Sequence, residues 1–461
     1  MNPKPKLTVS GYRGIWGETL NDEIAGSYAR AFARFVKEDT KKEKPDILIG
    51  RDGRESGPEI KKSVKGELEN LGVNVIDGDI MPTPTVLFSV RKHKYDGAVI
   101  ITASHNPIEY NGLKFVNKEA LFCMEEEIIE IEKYHTEEKE KKNTEHKELK
   151  MDEKAKLAVP NFPKEHADHI LSKVNVQAIQ DRKFKVATDM INASAAVMDP
   201  YLFDKLGVEF IPLNGNPNGK FAHKPEPIRE NLGEIMKITR ELKTDLGFVH
   251  DPDADRLVLI NENGEVVFEE YTIALAMENV LSKNPGRNSV INLSTSKTSA
   301  DIAERYGSKC ILSAVGEPNV VKEIMLNDAV IGGEGNGGVI YPSVNLVRDS
   351  FTGIALILEL LAERKKTFSE CLDLLPKYSM KKEKFSIVGL DLKDIIFKTK
   401  EHFKEARTIE IDGIRLDFED SSWIHIHPSN TEPIIRIYGE AKTQEKINNL
   451  FEELRLTLGL K

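Results

Sequence analysis

Four short loops carry the residue types on which chemistry could be built. Asp251, Asp253 and Asp255 stand at alternate positions in Asp-Pro-Asp-Ala-Asp-Arg. Like charges this close repel unless a cation neutralises them, and hard oxygen donors suit Mg²⁺ or Ca²⁺. An EF-hand is the obvious decoy, because Glu262 falls at the twelfth position. However, Arg256 occupies the position that needs glycine, and Leu257–Asn261 reads as a strand. The bland alternative is an acidic hairpin turn. A second loop, Thr102-Ala-Ser-His-Asn-Pro107, follows the apolar run Gly97–Ile101. Ser104, read as exposed beside His105 and Asn106, suits a covalent phosphate carrier or a nucleophile. The alternative is a capping serine in an ordinary turn. The serine-hydrolase pattern G-x-S-x-G is absent at this loop, which disfavours acyl transfer.

The third loop, Gly332-Gly-Glu-Gly-Asn-Gly-Gly338, contains G-x-G-x-x-G after an apolar run. The dinucleotide reading needs a helix to open there, but Val-Ile-Tyr-Pro follows, so that reading is rejected. Glu334 and Asn336 suit hydrogen bonds to sugar hydroxyls; a ligand-free glycine turn is the alternative. The fourth, His427-Pro-Ser-Asn-Thr-Glu-Pro433, offers Ser429, Asn430 and Thr431 as an anion nest, with Arg436 placed for a bidentate phosphate contact. Two further glycine loops carry arginines, Ser10–Gly14 with Arg13 and Gly50–Arg54. Taken singly, such loops are commonly surface turns.

The elements that must position these loops repeat one layout. Short β-branched runs end in Gly-, Ser- or Asp-rich loops and alternate with amphipathic stretches. Asn21 and Asp22 are candidate caps of one helix; Ser56 starts another that ends at Gly72. Alternating β and α units imply parallel sheets covered by helices, whose ligands gather at the carboxyl ends of the strands. Glu125–Lys156 is charged with mixed sign and reads as a helix running into a solvated linker. The last stretch alternates apolar and polar residues and closes with a helix, an antiparallel α+β pattern. The expected fold is therefore α/β: three α/β domains with mixed, mostly parallel sheets (1–157, 158–261 and 262–371) plus a smaller C-terminal α+β domain (372–461).

Composition bounds the partners. The 461 residues hold 65 Lys+Arg against 75 Asp+Glu, a net charge of −10. That balance argues against nucleic acid and anionic membrane as partners. The three cysteines, widely spaced, suggest neither a disulfide framework nor a zinc site and fit a cytoplasmic setting.

The order of the loops carries more than any one of them. SGYRG, GRDGRESG, MPTPT, TASHNP, YNGLKF, KPEP, DPDADR, VGEPNV, GGEGNGG and HPSNTEP follow one another over nearly the whole chain. In that order they strongly resemble the α-D-phosphohexomutase superfamily. The resemblance implies that Ser104 carries the phosphoryl group. It implies that Asp251, Asp253 and Asp255 hold Mg²⁺, with a phosphate oxygen on Ser104 completing the shell. It places His105 and Lys114 around the transferring proton and phosphate, and Arg13 and Arg256 against that phosphate. Glu334 and Asn336 would recognise the sugar. His427, Ser429, Asn430, Thr431 and Arg436 would bind the phosphate that does not react. The substrate would be a hexose phosphate, with a hexose 1,6-bisphosphate as intermediate and activator. The expected enzyme is a phosphohexomutase, with glucosamine phosphate as substrate. The alternatives are a phosphomannomutase/phosphoglucomutase of broad specificity and a non-catalytic sugar-phosphate-binding protein. A monomer or homodimer is expected. Two departures stand out: His427 replaces an arginine common in the family, and Gly338 replaces a frequent histidine.

Overall fold

The computed structural model describes residues 7–140, 159–386, 391–428 and 434–459. The chain divides into two compact units. One comprises Lys4–Glu269 with Gly338–Ser369; the other comprises Glu270–Gly337 with the chain from Glu370 onward.

The first unit holds two sheets. Strands β1 (Tyr12–Ile15), β2 (Asp46–Arg51), β3 (Asn74–Ile80), β4 (Gly97–Ile101) and β5 (Tyr110–Val116) lie in the order β1-β5-β4-β2-β3. β2 runs parallel to β3 and β4, while β5 is antiparallel to both β4 and β1. β4 is buried along its whole length, the mark of a strand covered on both faces. Strands β6 (Lys185–Asp189), β7 (Glu209–Leu213), β8 (Leu246–His250) and β9 (Leu257–Ile260) lie in the order β7-β6-β8-β9. Only the β8–β9 pair is antiparallel.

Local signals explain the flanking helices. In the helix Asp22–Thr40, the Asn21 side chain accepts from the Ile24 N–H, as an N-cap should. Its apolar stripe buries Tyr28, Phe32, Phe35 and Val36 in a core shared with Ile47, Ile49, Val99 and Phe115. The helix Gly57–Asn70 ends as expected, with Gly72 just past its C-cap at φ +76°. Its start differs from expectation. Ser56 makes no capping hydrogen bond; its hydroxyl accepts instead from Asn111 Nδ2 at 2.9 Å. A helix spans Glu125–Glu140, and the expected linker to Lys156 lies outside the described residues.

In the second unit, β10 (Ser289–Asn292), β11 (Cys310–Ser313) and β12 (Ile331–Glu334) are parallel, with β10 central. The chain then leaves this unit in a short strand, β13 (Gly338–Ile340), which begins the segment belonging to the first unit, and no helix opens after the glycine run. That agrees with rejection of the dinucleotide motif. The C-terminal sheet is wholly antiparallel. It comprises β14 (Ser379–Ser386), β15 (Arg407–Ile409), β16 (Ile414–Asp417), β17 (Trp423–Pro428) and β18 (Ile434–Ala441), ordered β14-β18-β17-β16-β15. Ile424 and Ile426 of β17 join Ile435, Ile437, Phe451 and Leu454 in one core. The period of two then sends His425 and His427 to the other face. The architecture is α/β, with three helix-flanked, mixed or parallel sheets and a smaller antiparallel C-terminal sheet with its helices, as the sequence pattern predicts.

Candidate active site

The Asp-Pro-Asp-Ala-Asp loop is the connection of the β8–β9 hairpin, so the bland expectation describes its backbone correctly. Its side chains do more than a turn requires. Asp251, Asp253 and Asp255 are all buried, and one carboxylate oxygen from each lies within 4.8 Å of the others. The turn is held by backbone donors: Asp251 Oδ1 accepts from the N–H groups of Asp255 and Arg256, each at 3.2 Å. Asp253 Oδ2 accepts from Lys114 Nζ on β5 at 2.8 Å and from Thr83 Oγ1 at 2.9 Å. Asp255 Oδ2 pairs with the Arg348 guanidinium. The remaining Oδ1 atoms of Asp253 and Asp255 are buried without a hydrogen-bond partner among the described residues.

Burial pushes the Asp251 carboxyl well above the carboxylate range, and the neighbouring Asp255 and Asp253 charges add to the effect. Burial opposes ionisation of Asp253 too, but the Lys114 ammonium outweighs it and holds that carboxyl well below its ordinary range. Buried, orphaned carboxylate oxygens are expensive. Three converging hard donors, two with an orphaned oxygen, fit a divalent cation of the Mg²⁺ type.

The serine loop follows β4 and meets this cluster. Ser104 is 1% exposed, not exposed as the sequence suggested, and its hydroxyl donates to Asp251 Oδ2 at 2.9 Å. Its φ is +50°, a left-handed conformation that costs a non-glycine residue about 1–3 kcal/mol unless the surroundings enforce it. His105 Nδ1 lies 3.3 Å from Ser104 Oγ. Burial, with Arg256 and Arg13 nearby, pushes the His105 imidazole down to about 2, so the ring is neutral at physiological pH. Arg13, on β1, reaches the same loop through Asn106 Oδ1 at 2.7 Å. Arg256 Nε lies 3.8 Å from Asp255 Oδ1. The first unit thus brings together Ser104, His105, Lys114, Arg13, Arg256 and the three aspartates.

Sequence reading missed three supports of this cluster. Arg348 gave no signal, because its partner Asp255 lies 93 positions away. The His250 imidazole is fully buried between Asp199 Oδ2 at 3.0 Å and Ser350 Oγ at 2.8 Å. Ser350 Oγ in turn donates to the Ala254 carbonyl at 2.8 Å, inside the aspartate loop. Arg54, in a loop first read as a surface turn, has no exposed surface at all. The Gly-rich setting of Arg54 was visible; its burial was not.

The second unit presents a different kind of site. Glu334, at the end of β12, is buried, and its Oε1 accepts from Asn292 Nδ2 at 2.8 Å and from the Gly316 N–H at 3.0 Å. Asn336 Nδ2 donates to Glu334 Oε2 at 3.4 Å. Gly335 leaves room for a neighbouring carboxylate: a Cβ there would stand 1.9 Å from Glu270 Oε2, which would have to move aside. His427 Nδ1 bonds Asp412 Oδ1 at 2.8 Å, and His427 is the cross-strand partner of Arg436 in the β17–β18 register. That register puts His427 and Arg436 side by side on one face. Ser429, Asn430 and Thr431 lie outside the described residues.

A buried serine hydroxyl on a cation-type carboxylate cluster, flanked by arginines, fits an enzyme of phosphoryl transfer. Comparison with known proteins gives the family. The models of phosphoglucomutase/phosphomannomutase α/β/α domains I, II and III match residues 4–142, 164–264 and 269–378, and that of the C-terminal domain matches 388–457. The chain belongs to this family; it is a phosphohexomutase, an isomerase. A phosphoglucomutase/phosphomannomutase of Thermococcus kodakarensis is 37% identical, with 96% of each chain covered. A phosphoglucosamine/phosphogalactosamine mutase of Sulfurisphaera tokodaii is 35% identical, with 97% of each covered. The crystal structure of a family protein from Burkholderia thailandensis superposes with a TM-score of 0.84 at 25% identity, over 99% of this chain and 98% of that one. Among the described residues, no helix is long and apolar enough to cross a membrane.

Proposed function

We propose that this chain interconverts glucosamine 6-phosphate and glucosamine 1-phosphate through a phosphate carried on Ser104. The observation that carries the reading is the Ser104 hydroxyl, 2.9 Å from Asp251 in a carboxylate cluster with two orphaned buried oxygens. A divalent cation held by Asp251, Asp253 and Asp255, with an oxygen on Ser104, would neutralise charge on the transferring phosphoryl group. The chain's own residues do the rest. Arg13 and Arg256 supply fixed positive charge for the phosphoryl oxygens. Lys114 holds Asp253 ionised. The C1 hydroxyl of the 6-phosphate gives up its proton and takes the phosphoryl group as the Ser104 Oγ–P bond breaks and the serine oxygen takes up a proton, giving a 1,6-bisphosphate. That intermediate turns end for end and returns its 6-phosphate to Ser104. When Ser104 attacks, its proton leaves toward Asp251 Oδ2, the acceptor its hydroxyl already faces at 2.9 Å. Neutral His105 orients the hydroxyl, since a ring with so low a pKa is a weak base.

Glu334 and Asn336 recognise the sugar, and the buried Glu334 carboxylate suits the ammonium of glucosamine. His427, Arg436 and the Ser429–Thr431 stretch take the other phosphate. A second reading, broad phosphomannomutase/phosphoglucomutase activity, is favoured by the printed name of the Thermococcus relative. Specificity constants for glucosamine, glucose and mannose phosphates decide between them. The proposal expects the highest value for glucosamine; a clear preference for mannose 1-phosphate overturns that choice of sugar.

A further inference from the structure

Ser104 is held at both of its peptide groups. Its N–H donates to Thr102 Oγ1 at 2.9 Å, and its carbonyl accepts from Arg54 Nη2 at 2.6 Å. Thr102 Oγ1 donates to Asp52 Oδ2 at 2.6 Å, and Arg54 Nε donates to that same oxygen at 3.1 Å. The four residues therefore close a hydrogen-bonded ring, Asp52–Thr102–Ser104–Arg54, with the left-handed serine inside it. The Arg54 guanidinium has five N–H donors. The other three reach the carbonyls of Asn106 at 2.7 Å, Pro107 at 2.7 Å and Tyr110 at 2.8 Å. Four of its five bonds thus go to the single stretch Ser104–Tyr110.

The anchor of the ring is stiff. A Cβ on Gly53 would meet Ala193 Cα and the Asn192 carbonyl at 2.9 Å, so the Asp52–Arg54 turn is wedged against a loop of the second sheet. The Phe221 ring lies 5.0 Å from the guanidinium carbon. Stability alone does not account for this arrangement, because burying an ion pair is commonly no better than an apolar substitute. What the ring supplies is geometry: it fixes φ and ψ of the residue whose Oγ must point at the aspartate cluster.

We propose that Arg54 is a positioning residue for phosphoryl transfer, acting through the closed ring with Asp52 and Thr102 to aim Ser104 Oγ. The proposal rests on the reading of Ser104 as phosphate carrier. A misplacement of about 1 Å in a reacting group costs on the order of 10²-fold in rate. Removing the guanidinium should therefore lower kcat and leave substrate binding nearly intact.

The test uses the full-length enzyme, charged with glucose 1,6-bisphosphate, and follows Ser104 phosphorylation in single turnovers alongside steady-state kinetics. Arg54→Ala should lose about 100-fold in kcat, with KM within about threefold. Millimolar guanidinium ion should restore about tenfold of that rate, whereas methylammonium should not, because only the planar fork reproduces the carbonyl contacts. Wild-type kcat per folded molecule, a loss confined to KM, or equal rescue by both cations overturns the proposal. If Arg54→Ala does not fold, the near-isosteric Thr102→Val decides: about a tenfold fall in the phosphorylation rate supports the ring, and an unchanged rate overturns it. Failure of the underlying reading looks different. In that case wild-type enzyme takes up no phosphate and Ser104→Ala stays active, whatever Arg54 does.

Discussion

The two units solve opposite problems. Around Ser104, acidic side chains are packed together out of water, two of their oxygens have no hydrogen-bond partner among the described residues, and guanidinium groups stand close by. Around Glu334 and His427 the polar groups are bonded within their own unit: Glu334 to Asn292 and Gly316, and His427 to Asp412. The first cluster is electrostatically incomplete and stores that deficit for a cation and a phosphate. In the second, Glu334 and His427 are already held by hydrogen bonds, an arrangement suited to recognition. The proposed reaction puts chemistry with the strained, charged region and selection of the sugar with the hydrogen-bonded one. The comparison therefore predicts that changes in the first unit act on kcat and those in the second on KM.

The most severe break is Ser104→Ala, expected to lower kcat by at least ~10³-fold, with the fold kept as judged by circular dichroism. Turnover near the wild-type rate would remove the serine from the mechanism. Next comes Asp253→Asn, which removes the carboxylate held ionised by Lys114. A fall in kcat of ~10²–10³-fold is expected; Mg²⁺ should stabilise the wild-type protein thermally and should not stabilise this variant. Unchanged stabilisation by Mg²⁺ in calorimetry would contradict the metal assignment. Glu334→Gln sharpens the contrast from the other side: KM should rise about 10-fold or more, the size of one charged hydrogen bond, with kcat little changed. If kcat falls instead, the division of labour fails.

The smallest effect concerns stability. Burial pushes the His425 imidazole down to about 4, and its side chain is fully buried between Ser294 Oγ and the Asp412 carbonyl, both at 2.8 Å. The folded state favours the neutral ring. Its contribution is therefore present above the unfolded pKa of about 6.5 and is lost as pH falls from there toward 4, by at most about 3 kcal/mol. Urea unfolding across that window should show the slope in the wild type and a flatter one in His425→Gln.

What the sequence disclosed was what is local in the chain. Three aspartates within one turn and a serine after an apolar strand announce themselves, and the alternation around Ile424 and Ile426 announces the antiparallel sheet. The supports are not local. Arg348 meets Asp255 from 93 positions away, and Arg54 meets the serine loop from about 50. Each looks like an ordinary loop arginine until tertiary packing buries it. Ser104 was misjudged for the same reason: a polar loop after a strand reads as exposed, but here a second hairpin packs its carboxylates over it. Ser56 reads as a cap in the sequence, yet Asn111, on a strand far along the chain, occupies its hydroxyl.

The central claim is that phosphate rides on Ser104 between the two ends of one hexose. Intact-mass spectrometry tests it most directly. Wild-type enzyme treated with glucose 1,6-bisphosphate should gain the mass of one phosphoryl group, localised to Ser104 by fragmentation, and should lose it within a turnover time when glucosamine 6-phosphate is added. A wild-type protein that isomerises substrate at full rate while never carrying that mass would contradict the account.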